Sequence, residues 1–438
     1  MALVHTIYSR WILDSRGLPT VSCKVILDQN GRKITGYASV PSGASTGSHE
    51  ALELRDGGEE FHGKGVSKAI NNINTVISEK LVGRDFSTAA EVDHVMLSLD
   101  ESGNKSELGA NSILGVSMAA HRAFAQLAGL ELWQYLRRLY FSSLPAATKF
   151  PRLMCNVLNG GAHADNGLSI QEFMVIPSGG DIVDDIRMAS EIYHTLKSNL
   201  AKDGYSTSLG DEGGFAPTFD LQAIVNSQSE MENPELNPTK VALKFLQKAI
   251  LDSGYTNVNC ELGMDVAATE FYDTQDQLYK IDGLSLSRSE LTDFYSQLCE
   301  DFPIISIEDG FAEDDVLGWE VMTAALAKKI KLIGDDLFVT NPKRFAEIGL
   351  VNNIANGVLI KLNQIGSVLE TCQMINKAKE NDYITSISHR SGETTDSFIS
   401  DLAVASQSEF IKLGAPARGE RVIKYNRLLE IYDSLQTL

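Results

Sequence analysis

The chain has 438 residues, too many for one ordinary domain and enough for a complete barrel with a second domain beside it. Its composition, 43% hydrophobic and 22% charged, is that of a soluble globular protein. With 38 basic and 58 acidic side chains the net charge is −20, which argues against direct nucleic-acid binding or a general anionic-membrane surface and obliges an anionic substrate to find a local basic cluster.

Residues 1 to about 60 read as strands. The opening MALVHTIYSRW holds no apolar core of the signal-peptide kind. TVSCKVIL and KITGYASV alternate or run apolar, and DQNG between them signals a hairpin turn. VPSGASTGSHEALELRD follows, its Gly, Ser and Thr marking a mobile loop. Residues 64–139 read as helical: Ile113, Val116, Ser117, Ala120, Phe124 and Leu127 recur at helical spacing, and Gly129 is a natural stop. This predicts an α+β domain over residues 1–140. LPAATKFPRL, with two prolines, is the expected linker near residue 145 into a second domain over 145–438.

In that second part, short apolar runs end repeatedly in charge. CELGMD ends at Asp265, IISIED carries Glu308 and Asp309, and KLIGDD carries Asp335 and Asp336. GVLIK ends at Lys361, YITSISHR carries His389 and Arg390, and EFIK ends at Lys412. The last four steps are 27 (335−308), 26 (361−335), 28 (389−361) and 23 (412−389) residues, the length of a strand, loop, helix and return. Repeated units of this kind predict an α/β barrel with its chemistry at the carboxyl ends of the strands. The early barrel is less regular, the polar stretch around Gln228–Pro238 reads as a surface insertion without a role, and RLLEIYDSLQTL as a helix folding back. No stretch approaches the ~18 apolar residues of a transmembrane helix. The scattered cysteines Cys23, Cys155, Cys260, Cys299 and Cys372 fit reduced thiols of a cytoplasmic protein.

Asp265, Glu308 and Asp335 offer oxygen ligands without Cys or clustered His, which suits a hard cation, Mg²⁺ before Zn²⁺. An acid at a strand end also caps a following helix. Three in register, followed by a lysine, favour the metal. Lys361 at a barrel mouth would have its pKa lowered by nearby cations and become a base. In GDEGGFAP, glycines around Glu212 can present one carboxyl into a closed site or simply make a turn. QEFM supplies Gln171 and Glu172 at the end of another expected strand, and NGGAHADN supplies His163 in a loop. SHRSGET sets a guanidinium beside hydroxyls, apt for phosphate. VPSGASTG lacks the order of a nucleotide-binding P-loop.

ILDSRGLPTV, VPSGASTGSHEALELRDG, GANSILGVSMA, NGGAHADN, IQEFM, GDEGGFAP, MDVAATEF, SIEDGF, GDDLFVTNPKR, IKLNQIGS, SHRSGETTDS and GAPARGERVIKYNRLL run in this order from about residue 12 to 430. Together they resemble the enolase (phosphopyruvate hydratase) family. The resemblance implies an α+β cap followed by a modified TIM-type barrel that begins irregularly. It implies reversible dehydration of 2-phospho-D-glycerate to phosphoenolpyruvate in glycolysis and gluconeogenesis, with two Mg²⁺ ions, the second substrate-dependent. By motif, Lys361 would remove the C2 proton, and Glu212, helped by Glu172, would protonate the departing C3 hydroxyl. Asp265, Glu308 and Asp335 would hold the first metal, and Ser42 would join the second when its loop, Ser39–Gly47, closes. Gln171, His389, Arg390, Ser391, Lys361 and Lys412 would bind substrate, with His163 near the leaving group. Family members are homodimers or octamers without membrane insertion. Some occur at cell surfaces without a signal peptide, so a scaffold or surface-binding role on the same fold is the alternative. Leu18, Thr395, Cys155 and the longer insertion depart from the family pattern, and none is among the catalytic residues.

The chemistry sets two electrostatic expectations. Lys361 must be neutral to act as base, and Lys412 and the metals would lower its pKa. Glu212 must be protonated to release water, and the like charge of Glu172 would raise its pKa.

Overall fold

Period-two alternation builds the first sheet. β1 (Ala2–Leu13), β2 (Pro19–Gln29) and β3 (Arg32–Ser39) pair antiparallel, and short β4 (Asp85–Phe86) completes the order β3-β2-β1-β4. The computed structural model describes residues 1–43, 47–145, 149–219 and 237–436. The expected hairpin turn lies between β2 and β3. Asn30 and Gly31 both take positive φ, 54° and 82°, the geometry that matches strand twist.

Val21, Cys23, Val25 and Leu27 face inward from β2 onto the helix Ala110–Leu127. At Gly36 a Cβ would stand 2.0 Å from the Ala119 carbonyl oxygen, so helix and sheet meet backbone to backbone there. The helix ends as expected before Gly129, whose φ is 67°. It is buried on nearly every face, because the barrel covers the side turned away from the sheet.

A buried polar cluster joins the cap to the barrel. Asp93 Oδ2 accepts from Ser117 Oγ (2.8 Å) and from the Leu369 amide (3.0 Å), at the start of the barrel helix Val368–Glu380. Burial pushes the Asp93 pKa up to about 7. A carboxyl raised in the folded state stabilises the fold below its unfolded pKa, and that contribution is lost as pH rises through about 7. Asp93→Asn is therefore expected to gain stability over the parent by on the order of 1–3 kcal/mol as pH rises from 4 to 8. Urea midpoints across that range measure it, and a pH-independent difference contradicts it. Arg122 adds a bidentate pair to Asp396 at 2.6 and 2.7 Å across the same junction.

The second part opens with β5 (Arg152–Asn159), β6 (Glu172–Pro177) and β7 (Cys260–Asp265). A small sheet follows, β8 (Tyr272–Asp273), β9 (Leu278–Ile281) and β10 (Leu284–Leu286). Then come β11 (Ile304–Glu308), β12 (Lys331–Gly334), β13 (Gly357–Ile360), β14 (Ile384–Ser388) and β15 (Phe410–Lys412). The barrel closes in the order β11-β12-β13-β14-β15-β5-β6-β7. All neighbours are parallel except β6, which runs antiparallel to both β5 and β7. This is the physical form of the irregular start.

It also corrects one expectation. Gln171 and Glu172 stand at the beginning of their strand, not its end. Because that strand is reversed, its beginning lies at the mouth, with Glu172 paired to Asp265 on one side and to Asn159 on the other. The expected insertion lies outside the described residues up to its last two, and Asn237 caps the helix Pro238–Asp252. Residues 146–148 of the expected linker also lie outside them. The C-terminal helix Gly419–Gln436 folds back onto the barrel, burying Arg421, Tyr425, Leu428 and Ile431. Among the described residues no helix is long and apolar enough to cross a membrane.

Candidate active site

Asp265 and Glu308 are the last residues of β7 and β11, Asp335 and Lys361 immediately follow β12 and β13, and His389–Ser391 follow β14. Lys412 ends β15, and reversed β6 contributes Glu172. Strand-end geometry thus turns all of these but the fully buried Glu308 into the wall of one cleft of about 540 Å³, its open mouth included.

The Gly-rich loop closes another wall. Phe215 donates to the Val157 carbonyl (2.9 Å) and accepts from the Asn159 amide (2.8 Å), so residues 210–215 hang from the end of β5. Gly213 has φ 87°, and at Gly214 a Cβ would stand 2.4 Å from Asn159 Oδ1. Only a chain without side chains at these two places fits against β5, and it turns Glu212 inward, 3% exposed. There Asn156 Nδ2 donates to Glu212 Oε2 at 3.0 Å, His389 Nε2 lies 3.4 Å from the same oxygen, and His163 Nδ1 is 3.9 Å away. His163 Nδ1 is also 3.7 Å from Glu172 Oε1, so it lies between the two glutamates.

Lysines hold the acids together. Lys412 Nζ is 2.8 Å from Asp265, 2.9 Å from Glu308 and 3.1 Å from Glu172. Lys361 Nζ pairs with Asp335, whose other oxygen accepts from Gln364 Nε2 at 2.8 Å. Gln171 Nε2 reaches Asp265 at 3.4 Å. Arg390 pairs at 3.0 Å with Glu50, from the segment that follows the Gly/Ser loop.

The neighbours of the lysine and the glutamates set their proton affinities. Burial works against the Lys361 ammonium, but the Asp335 carboxylate outweighs it and pushes the pKa up, not down. Burial and the Glu212 charge push Glu172 well above the usual carboxylate range. Burial also works to raise Glu212, yet the His389, His163 and Arg421 groups facing it hold it well below. The surroundings thus favour the protonated form at Glu172 and the ionised form at Glu212. Burial and Asp265 likewise raise Glu308.

Ser42 lies apart from this group. It is buried at the cap–barrel junction, bridged through its backbone to Gly392. Its hydroxyl donates to Glu53 Oε2 (3.2 Å) and accepts from Arg55 (2.7 Å) and Arg16 (3.3 Å). Burial raises the Glu53 pKa, so this carboxyl depends on its partners. Ser42→Ala is expected to cost about 1–3 kcal/mol by leaving those buried groups short of a partner. A denaturant midpoint equal to the parent's would show the hydroxyl is dispensable to the junction.

Sequence reasoning named Asp309 and Asp336 without giving them a role and passed over several others. Asp309 takes a left-handed φ of 42°, and its two oxygens accept from the amides of Asp335 (2.9 Å) and Asp336 (2.8 Å), which aims both acids. Asp336, Glu270 and Thr269 line the cleft, and Asn156 and Glu50 hold site groups. Asp309 and Asp336 stood beside residues already singled out in SIED and GDD. For Asn156 and Glu50 no spacing signal exists.

The cleft fits a divalent cation. Its lining includes seven acids (Glu172, Glu212, Asp265, Glu270, Asp309, Asp335, Asp336) against three fixed bases (Lys361, Arg390, Lys412). Among the described residues the groups there whose ligand atoms come together are His163, Glu172 and Glu212, and Asp309, Asp335 and Asp336, while Asp265 and Glu308 of the expected trio are paired with Lys412; Gln171 Oε1 and Asn156 Oδ1 are buried acceptors with no partner among the described residues.

The family model described as "Enolase, N-terminal domain" matches residues 4–136, and "Enolase, C-terminal TIM barrel domain" matches residues 147–437. The protein named Enolase from Natranaerobius thermophilus is 47% identical over 437 residues, covering 99% of this chain and 96% of that protein. Enolase from Nitratiruptor sp. is 47% identical, covering 99% and 97%, and Enolase from Corynebacterium kroppenstedtii is 46% identical, covering 99% and 96%.

Proposed function

This chain belongs to the enolase family and is a lyase of the phosphopyruvate hydratase type, and on that premise we propose how its own residues divide the reaction. Lys361 removes the C2 proton of 2-phosphoglycerate. Its neighbours Arg390 and Lys412, both like-charged, favour the neutral amine once Asp335 releases the ammonium. Glu212 delivers a proton to the C3 hydroxyl, which leaves as water. Glu172, whose surroundings favour the protonated form, is the reserve from which Glu212 is recharged. Gln171, His389, Ser391 and Lys412 orient the substrate, His163 sits beside the departing group, and Arg390 takes the phosphate.

A divalent metal is implied by the family, and Mg²⁺ is the proposed ion, held by Asp265, Glu308 and Asp335. When bound it would spread the negative charge that develops on the substrate carboxylate. Ser42 can join a second, substrate-dependent ion by freeing an oxygen lone pair that now accepts from Arg55 or Arg16. We place the domain division between residues 140 and 145, and the protein in the cytoplasm, with a cell-surface pool as a further expectation. Tyr8, Lys24 and Tyr37 form one row on the outer face of the cap sheet, and the exposed tyrosines support self-association as a homo-oligomer. A light-scattering mass distinguishes dimer from octamer.

The observation that carries this reading is the convergence of Lys361, Glu212, Asp265 and Asp335 on one cleft, with buried Glu308 joined to it through Lys412. The test is the ultraviolet absorbance of phosphoenolpyruvate forming from 2-phosphoglycerate, with Mg²⁺ and with chelator. No metal-dependent signal would return the scaffold alternative, which the relatives do not favour.

A further inference from the structure

One fully buried cation at the mouth has no part in the roles above. Arg421 lies in the first turn of the C-terminal helix, with no exposed surface. Its Nη1 donates to His389 Nδ1 at 2.7 Å and to the Arg390 carbonyl at 2.5 Å. Its Nη2 donates to the carbonyls of Ser391 at 2.6 Å and Asp211 at 3.2 Å. The guanidinium therefore clasps the segment after β14 and the Gly-rich loop that carries Glu212.

A guanidinium only donates hydrogen bonds. His389 Nδ1, facing it, must accept and carries no hydrogen. The neutral ring then bears its hydrogen on Nε2, the atom 3.4 Å from Glu212 Oε2. Burial, which pushes the His389 pKa down to about 4, keeps the ring neutral at physiological pH. Packing holds the ring in this sense: at Gly414 a Cβ would stand 2.9 Å from His389 Cε1, so the chain passes close against it. A lysine at 421 could not span these four acceptors, since its donors radiate from one nitrogen.

We infer that Arg421 is a positioning residue for the acid: it fixes His389 as the Nε2–H tautomer and thereby turns a hydrogen-bearing nitrogen, which has no other partner among the described residues, toward Glu212 Oε2 3.4 Å away. The link to catalysis rests on the proposed role of Glu212; the tautomer does not.

The tautomer is read directly by NMR of the unsubstituted chain labelled with ¹⁵N-histidine. It has eight histidines, and the His389 signal is identified by its loss in His389→Gln. Nδ1 without hydrogen and Nε2 with it is the expected result, and the reverse overturns the inference without any variant of Arg421. Arg421→Lys, confirmed folded by circular dichroism, is expected to mix the tautomers. It should lower product formation about tenfold or more while C2 proton exchange stays within about threefold. In a Glu212→Gln background the same substitution should cost little further, because the group it serves is gone. A purely structural arginine would leave tautomer and kinetics unchanged and shift only the melting temperature. An equal fall in exchange and product formation would also overturn it. If the lysine variant does not fold, Arg421→Gln takes its place under the same criteria. Failure of the Glu212 role shows separately, as product formation surviving in Glu212→Gln with the His389 tautomer as assigned.

Discussion

Lys361→Ala is expected to abolish hydrogen exchange at C2 of 2-phosphoglycerate, whereas Glu212→Gln leaves exchange largely intact and blocks product formation. The two groups work at different carbons, so each variant removes one proton transfer and leaves the other. A well-placed general base or acid contributes about 10²–10⁴-fold, and each loss should fall in that range. Deuterium uptake at C2 in heavy water, followed by NMR, reports the first step, and absorbance of the enol phosphate reports the second. The glutamine keeps the shape of Glu212 beside Asn156 and His389, so its effect is not a packing artefact. Equal loss of exchange in both variants, with substrate still bound, would sink the division of labour.

Lys412→Met carries the largest expected effect on stability. The ammonium is 2% exposed and lies within 3.1 Å of Glu172, Asp265 and Glu308. Burial opposes its charge, yet Asp265, Glu172 and Glu308 together hold its pKa well above the ordinary lysine value. Methionine fills the same volume without the charge, leaving three buried carboxylates facing one another. Removing one partner from a buried ionic group costs about 3–5 kcal/mol. The sign with pH follows from the acids. Glu172 and Glu308 are already raised by burial and neighbouring carboxylates, and losing Lys412, which lowers both, raises them further; they are protonated and tolerated at low pH and become costly as pH rises through those values. The variant should therefore approach the parent in urea midpoint near pH 4 and fall furthest behind it at pH 8. Added Mg²⁺ should recover part of the loss at pH 8 by binding the folded form. A variant as stable as the parent at pH 8 would mean that the lysine does not neutralise the cluster.

Much of this site could be read from the chain before any folding. Apolar runs ending in Asp265, Glu308, Asp335, Lys361, His389 and Lys412 fix both the strands and the side on which their last residues emerge, because a parallel barrel collects strand ends at one mouth. The hairpin at Asn30–Gly31 and the helix stop at Gly129 were equally local, since each needs a backbone angle that few residues adopt.

What the sequence could not supply was direction and partnership. Nothing in IQEFM states that its strand is reversed; only pairing with β5 and β7 turns Glu172 from the far end of the barrel to the mouth. Nor does spacing reveal that Ser42 spends its hydroxyl on Glu53 and Arg55, or that Arg421, about thirty residues after His389, aims that ring. The charge states were the furthest from reach. A pKa is set by every group within a few ångströms, so the upward shifts of Lys361 and Glu172 follow from neighbours that only the fold assembles. Local chain chemistry determined the elements and which charged side chains stand at their ends, and tertiary packing decided their orientation, their pairing and the direction in which their proton affinities move.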